Sequence, residues 1–196
     1  MKNYKRYVLG IDPSGNFNEG KGHTGFAVFD RQTNTIRETW TLAAKDFASA
    51  EQYFQAHWVV IMQAFQQYNG WMDCSNGLGE KYHESMVVSI EDFILYQASA
   101  KDLINSQLET PQLLGYLKMM FYEHGITWYI RPAVRVKKRW HETILEHEGY
   151  IQKYKTKSYK LEHGNHALAT HELDAIKHAV HCGLFEVEDE YVPYRT

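Results

Sequence analysis

The chain has 196 residues, 44% of them hydrophobic and 23% charged, which is typical of one soluble globular domain with a sizeable core. No apolar run approaches the roughly 18 residues that a membrane-spanning helix needs, and the short apolar stretch near the N-terminus does not resemble an export signal. The only cysteines, Cys74 and Cys182, form no CxxC pair, which argues against a disulfide framework and a zinc site. We therefore predict a single domain over residues 1–196, located in a reducing compartment such as the cytoplasm.

The net charge of −3 is unevenly distributed along the chain. Residues 131–160 carry nine Lys or Arg and three Glu, a local charge of +6, so that the remaining residues together carry −9. A basic segment on an acidic body suits a polyanionic partner such as nucleic acid. A charge run by itself is more often a solvated helix face, so the charge pattern alone does not establish such a partner.

The periodicity of apolar residues predicts three strands, followed by strands that alternate with helices. In chain order, the predicted elements are strands over 5–11, 25–30 and 35–43, a helix over 46–68, a loop over 69–85, a strand over 86–94, a helix from Thr110 and Pro111 to Gly125, a strand over 126–130, a basic helix over 134–147, a basic loop over 153–164, and a helix from Asn165 to Cys182. This order predicts an α/β fold with a five-stranded mixed sheet and helices on both faces.

Acidic and imidazole side chains occur at three places in this predicted order of strands and helices. Asp12 lies at the carboxyl end of the first strand, and Glu91 lies near the end of the fourth. His171 and Asp174 are three residues apart in the last helix, so they project from one helix face. Because ligands collect at the carboxyl ends of parallel strands, these four side chains converge if the first and fourth strands are parallel neighbours.

Three carboxylates so close together repel one another unless a cation lies between them, and hard oxygen ligands favour Mg²⁺ or Mn²⁺. Each feature alone also has a simpler interpretation. Asp12 suits the first position of an ordinary turn, and Glu91 and Asp92 face opposite sides of their strand, so at least one of them is solvated or paired. The stripe that His171 begins continues through His178 and His181 and suits a solvated helix face.

Three segments together resemble the signature segments of RuvC-like Holliday-junction resolvases, which are members of the RNase H-like superfamily. They are GIDPS with TGFAVF, VVSIEDF, and HELDAIKHA, and they are most similar to the short bacteriophage-encoded members. The resemblance covers nearly the whole chain in the right order, and the final HxxDA is its most specific part. It implies an RNase H-like fold and, for a phage-encoded protein, a location in the bacterial host cytoplasm. The polar loop over 13–24 is longer than expected, and its role is left open.

The resemblance also implies an activity and its site residues. Asp12, Glu91, His171 and Asp174 would be the catalytic, metal-binding residues, although the position of His171 is a carboxylate in some relatives. Two Mg²⁺ ions about 3.5–4 Å apart, with Mn²⁺ as a substitute, would support hydrolysis to a 5′-phosphate and a 3′-hydroxyl. A homodimer with one site per subunit would make two matched nicks in a four-way DNA junction.

Basic side chains between 131 and 160 are the candidates for contacts with DNA phosphates. The segment after the fifth predicted strand, from Pro132 to Lys137, resembles a family feature that brings Lys to DNA. The candidates, which the sequence does not rank, are Arg135, Lys137, Lys138, Arg139, Lys153, Lys155 and Lys157.

Three alternative functions are weighed against the resolvase prediction. Another nuclease of the same fold, acting on RNA–DNA hybrids, flaps or forks, would use the same metal site. An actin-like or sugar-kinase ATPase shares the first motif, but such proteins need two domains and have no place for HELDA. A non-catalytic DNA-binding module is disfavoured because an acid stands at every expected position.

Overall fold

A computed structural model of the protein describes residues 5–18, 20–69, 85–93, 109–156 and 158–185. The elements of these residues, in chain order, are β1 (Tyr7–Asp12), β2 (His23–Asp30), β3 (Thr35–Ala43), a 3₁₀ turn (Ala44–Asp46), α1 (Ala50–Asn69), β4 (Met86–Asp92), α2 (Glu109–Glu123), β5 (Trp128–Pro132), α3 (Ala133–Arg139), α4 (Glu142–His147), β6 (Gln152–Lys155), β7 (Ser158–Lys160) and α5 (Thr170–Phe185).

Five strands form one mixed sheet in the order β3-β2-β1-β4-β5, which confirms the predicted fold class. β1 pairs antiparallel with β2 and parallel with β4, and β4 pairs parallel with β5. Ile11 is the register partner of Ile90, so the next residue of each strand, Asp12 and Glu91, lies at the same edge of the sheet. The first and fourth strands are therefore parallel neighbours, which is the condition under which Asp12 and Glu91 were expected to lie side by side.

Each face of the sheet is covered by helices, because the buried strands carry apolar side chains on both sides. Leu9, Ile11 and Ile90 pack with α1 and α2 in one core. Val8 and Val87 point to the other face, where they pack with α3, α4 and α5. Side chains alternate along a strand, so Asp12 and Glu91 face the α5 side together with Val8 and Val87.

Helix α5 lies unusually close to β1 and β2 because two strand positions have no side chain. A Cβ built on Gly10 would lie 2.1 Å from the carbonyl oxygen of Ala175, and one built on Gly25 would lie 2.0 Å from that of His171. Both contacts are with backbone that cannot move aside. Glycine at these two positions is what allows the start of α5 to lie directly over the end of β1.

Two helical predictions are corrected. The predicted helix over 134–147 is two helices, because the chain breaks at Trp140 and the His141 side chain caps α4 by accepting from the Thr143 N–H. The last helix begins at Thr170 rather than Asn165. Its start is fixed by Glu172, whose carboxylate accepts a 2.7 Å hydrogen bond from the Ala169 N–H, as in a capping box.

Two further differences concern strands. The predicted loop over 153–164 contains an antiparallel hairpin, β6–β7, whose exposed strand residues give no apolar alternation for a sequence pattern to detect. The fifth strand runs over 128–132 rather than 126–130, so Arg131 and Pro132 are part of the sheet.

Some predictions fall outside the described residues. Cys74 and Lys157 are among them, as are most of the predicted loop over 69–85 and Ile94 at the predicted end of the fourth strand. In the part of the chain that the structure describes, no helix combines the length and apolarity needed to cross a lipid bilayer.

Candidate metal centre

Three carboxylates, which we call the acid cluster, meet where β1 and β4 end and α5 begins. They are Asp12, Glu91 and Asp174. Asp12 and Asp174 are buried, with 4% and 8% of their surface exposed, although each is an ionisable group. Acids are rarely buried in this way unless a cation balances them.

His171 lies beside the acid cluster, one turn before Asp174 on α5. Its Nδ1 is 2.5 Å from Oδ2 of Asp12, a short contact between a ring nitrogen and a carboxylate oxygen. The hydrogen bond with Asp12 raises the pKa of His171, because the carboxylate stabilises the protonated ring. The structure thus brings together all four residues that the sequence analysis selected.

The ammonium of Lys137 occupies the middle of the acid cluster. Its Nζ lies 2.7 Å from Asp174 Oδ2, 3.0 Å from Glu91 Oε2 and 3.8 Å from Asp12 Oδ1. Lys137 reaches the acids because α3 follows directly from β5, the strand next to β4. Burial lowers the pKa of Lys137, but the three carboxylates outweigh that effect and raise it above its ordinary value.

The pKa values of Asp12 and Glu91 are shifted in opposite directions. Burial raises the pKa of the Asp12 carboxyl to about 7, with His171 opposing the rise and Glu91 adding to it. Burial acts in the same direction on Glu91, but hydrogen bonds from His178 and Asp12 and the charge of Lys137 lower its pKa to about 2. Burial therefore favours the neutral form of Asp12, whereas the partners of Glu91 favour its ionised form.

Two further side chains of α5, those of Lys177 and His178, form hydrogen bonds with the acids. Nε2 of His178 lies 3.1 Å from Glu91 Oε2. Nζ of Lys177 donates to Asp174 Oδ1 over 2.8 Å and to Glu142 Oε1 over 2.5 Å, so it ties the acid cluster to α4. No role was predicted for either contact. For Lys177 the sequence held a signal, since it follows Asp174 by three positions on the same helix.

The solvated-face interpretation of the α5 histidines is wrong for the described structure. His178 is completely buried and His181 is 6% exposed. Burial, with the charges of Arg131 and Arg139, lowers the pKa of His181 to about 4. A further imidazole, that of His23 on β2, stacks on His171 with ring centroids 6.3 Å apart.

The donor set of the acid cluster fits divalent cations, with one qualification from the geometry. Among the described residues, no group of three or more Asp, Glu, His or Cys side chains is arranged so that it could hold a metal ion without a change of conformation. The Lys137 ammonium takes the central place in the described structure. Three carboxylates with an imidazole are ligands that Mg²⁺ and Mn²⁺ accept, so the residue types fit a divalent cation.

The described candidates for DNA binding lie in three places: at the acid cluster, on the exposed side of α3 and on β6. Lys137 points into the acid cluster. On the same helix, α3, three neighbouring basic residues are exposed: Arg135, Lys138 and Arg139. Lys153 and Lys155 are exposed on β6, where the Lys155 ammonium lies 5.4 Å from the ring centroid of Tyr154.

A second buried polar cluster lies under the loop between β1 and β2, and we call Ser14, Thr24, Tyr53 and His57 the loop clamp. Thr24 Oγ1 accepts from the Ser14 N–H over 3.0 Å and lies 2.7 Å from Nε2 of His57. Tyr53 donates its hydroxyl to the Ser14 carbonyl over 2.8 Å, and Nδ1 of His57 donates to the Tyr53 carbonyl over 2.7 Å. Burial lowers the pKa of His57 to about 4, so its ring is neutral.

No protein-family model matches the sequence, and comparison with curated proteins gives no match. The chain is similar to several solved structures, among them two of RuvC. A structure of T. thermophilus RuvC in complex with a Holliday junction substrate has a TM-score of 0.57 and 13% identity, covering 89% of this chain and 90% of that chain. A structure of Thermus thermophilus RuvC has a TM-score of 0.54 and 14% identity, covering 89% of this chain and 91% of that chain. The chain therefore has a RuvC-like fold of the RNase H-like class.

Proposed function

We propose that the protein is a divalent-metal-dependent endonuclease that cuts branched DNA, with the four-way junction as its preferred substrate. The observation that carries the proposal is the acid cluster around the Lys137 ammonium, at the carboxyl edge of the parallel strands of a RuvC-like sheet. Three carboxylates around one ammonium, two of them buried, are not required for stability, since apolar residues would fill the space at lower cost.

Asp12, Glu91, Asp174 and His171 would hold the cations. When bound there, divalent ions supply an activated water and offset the charge that develops on the phosphate. The remaining contributions come from the chain itself. Lys137 balances the acids in the resting protein, and 32% of its side chain is exposed, so its ammonium can turn from the acids toward a phosphate.

His171 contributes a proton-holding group beside Asp12. The hydrogen bond with Asp12 raises the pKa of His171, so this contact favours a proton on the ring, at a position that faces the acid cluster. That arrangement suits either ligation by the neutral ring or a hydrogen bond to the attacking water.

The exposed basic residues of α3 and of the β6–β7 hairpin support DNA as the polyanion. They would contact phosphates, which fixes position without selecting sequence. The similar T. thermophilus RuvC structure contains a Holliday junction substrate, which supports a branched substrate here. A four-way junction has approximate two-fold symmetry, so a homodimer with one acid cluster per subunit is the assembly that we propose.

The test is a cleavage panel on the purified protein. Four-way, three-way, flap, RNA–DNA hybrid and linear substrates are incubated in Mg²⁺ and in Mn²⁺, with Asp12→Asn as the paired variant. We expect paired nicks in the four-way junction, and we expect Asp12→Asn to bind that junction without cutting it. Preferential cutting of the hybrid or the flap would favour the other nuclease functions. Binding without cleavage of any substrate by the parent protein would favour a non-catalytic module.

A further inference from the structure

His178 is a completely buried imidazole in contact with an acid of the candidate metal centre. It lies one turn after Asp174 on α5, and none of its surface is exposed. Its Nε2 is 3.1 Å from Glu91 Oε2, on the side of the carboxylate away from solvent. The contact joins α5 to β4, two elements that are far apart in the sequence.

An imidazole is a poor choice for this position on packing grounds alone. Neighbouring α5 residues, including Ala175, Ala179 and Cys182, are buried in an apolar core. Nδ1 of His178 has no hydrogen-bond partner in the described structure, so one ring nitrogen is desolvated without compensation. An apolar side chain would remove that penalty. The one specific contact that the ring gains is with Glu91.

That contact acts on the orientation of the Glu91 carboxylate. Glu91 Oε2 receives His178 at 3.1 Å and Lys137 at 3.0 Å, while Oε1 faces Lys137 at 3.3 Å. The Lys137 contacts are lost when its ammonium leaves the cluster, whereas His178 is enclosed by the core and stays in place. After Lys137 has left, the enclosed contact with His178 continues to restrain Glu91.

We propose that His178 is a positioning residue that orients Glu91 for cation binding by donating its Nε2–H to Oε2. The inference rests on the proposed metal-dependent function. A carboxylate held in one orientation binds a cation more tightly, because less side-chain freedom is lost on binding. His178 itself does not touch DNA, because no part of its side chain reaches the surface.

Three substitutions at this position separate hydrogen bonding from packing. His178→Gln places an amide N–H near the position of Nε2 and keeps the reach to Glu91. His178→Asn is equally polar but too short to make the bond, and His178→Leu removes polarity altogether. His181→Leu is the matched control, since His181 is also a buried α5 histidine with an unpartnered Nδ1.

The readouts are Mn²⁺ affinity of the metal-free protein, measured by titration calorimetry, and single-turnover cleavage of a four-way junction. We expect His178→Leu and His178→Asn to weaken Mn²⁺ binding by about 10- to 100-fold, the range seen when a ligand loses its outer hydrogen bond. We expect His178→Gln and His181→Leu to bind as the parent does. Cleavage rate at saturating DNA should fall with Mn²⁺ affinity, while KM for DNA stays unchanged.

Circular dichroism identifies variants that fail to fold, and the Gln–Asn pair decides the question if His178→Leu is one of them. Unchanged Mn²⁺ affinity in His178→Asn, or equally weak affinity in His178→Gln, would overturn the inference while leaving the proposed function standing. Absence of Mn²⁺ binding by the parent protein would overturn both.

Discussion

Two buried polar clusters lie at the same end of β1 and β2, on opposite faces of the sheet, and they differ in how completely they are satisfied. In the loop clamp, both nitrogens of the neutral His57 ring are hydrogen-bonded, and the backbone of Ser14 is held at both its N–H and its C=O. The acid cluster instead gathers three carboxylates around one ammonium and leaves a neighbouring imidazole nitrogen of His178 unpartnered.

The difference shows what each cluster contributes. A fully paired, neutral cluster fixes the conformation of a loop and needs no ligand. Under the proposed function, three carboxylates gathered around an ammonium would instead accept a divalent cation. The loop clamp holds the backbone of Ser14, two residues after Asp12, so it fixes the chain where it leaves β1.

The sharpest test of this contrast uses two adjacent acids. Glu91 faces α5 and the acid cluster, whereas Asp92, the next residue of β4, points to the other face of the sheet. Glu91→Gln should lower the cleavage rate at least about 100-fold, because several kcal/mol of charge stabilisation are lost. Asp92→Asn should change the rate less than about threefold, the effect of a neutral surface change. Rates are measured on one four-way junction under single-turnover conditions, and equal losses in both variants would contradict the assignment of Glu91.

The second prediction concerns the loop clamp and pH. Burial lowers the pKa of His57 to about 4 from an ordinary value of 6.5, so the unfolded chain binds a proton that the folded protein excludes. The contribution of the neutral ring to stability is therefore complete above pH 6.5 and is lost as pH falls toward 4. Its expected size is about 3 kcal/mol in the free energy of unfolding.

Urea unfolding between pH 7.5 and pH 4 measures this effect. His57→Gln should be less stable at neutral pH but should lose less stability on acidification than the parent protein. His181, whose pKa is also lowered to about 4, remains in both proteins and cancels in the difference. Identical pH dependence of the two proteins would mean that His57 is not the group responsible.

The third prediction tests whether Lys137 balances the acid cluster. Lys137→Met leaves three carboxylates without their central cation, so the metal-free protein should lose about 1–2 kcal/mol of stability, a figure reduced by partial exposure. Addition of Mg²⁺ should then raise its melting temperature more than that of the parent. Lys138→Met is the control, since Lys138 is exposed on the same helix. Thermal unfolding with and without Mg²⁺ would count against this role if the two variants behaved alike.

Much of the sheet was predictable because β1, β2 and β4 are mostly buried and apolar. The third strand, 35–43, was predicted with its observed bounds, and the parallel pairing of β1 with β4, on which the predicted site depended, is present in the structure. The β6–β7 hairpin was missed because the residues of β6 are all exposed and give no apolar alternation. The break at Trp140 depends on a local cap by His141, which periodicity does not report.

The four residues selected for the site were found together because strand alternation and helix spacing are properties of local sequence. Asp12 and Glu91 needed only the parallel pairing, and His171 and Asp174 needed only the helical repeat. The insertion of Lys137 depends on the path of α3 after β5, and the burial of His178 depends on how closely α5 approaches the glycines of β1 and β2. Both features depend on tertiary packing, and a single sequence carries no direct signal of that packing.

The smallest expected effect lies outside both clusters, on the β6–β7 hairpin. Lys153 and Lys155 are exposed there and have no part in the acid cluster, so their role would be to contact phosphates. Replacing both with Gln should weaken binding of four-way, flap and linear DNA alike. The slope of log K against log[salt] should fall by about one for each phosphate contact that is lost. Cleavage at saturating DNA should not change, because the acids and their partners are untouched. Lys118→Gln on α2, which packs against the other face of the sheet, should leave the slope as it is. Fluorescence anisotropy between about 50 and 200 mM salt measures the slopes. An unchanged slope in the double variant would place the DNA path away from this hairpin, along the exposed basic residues of α3.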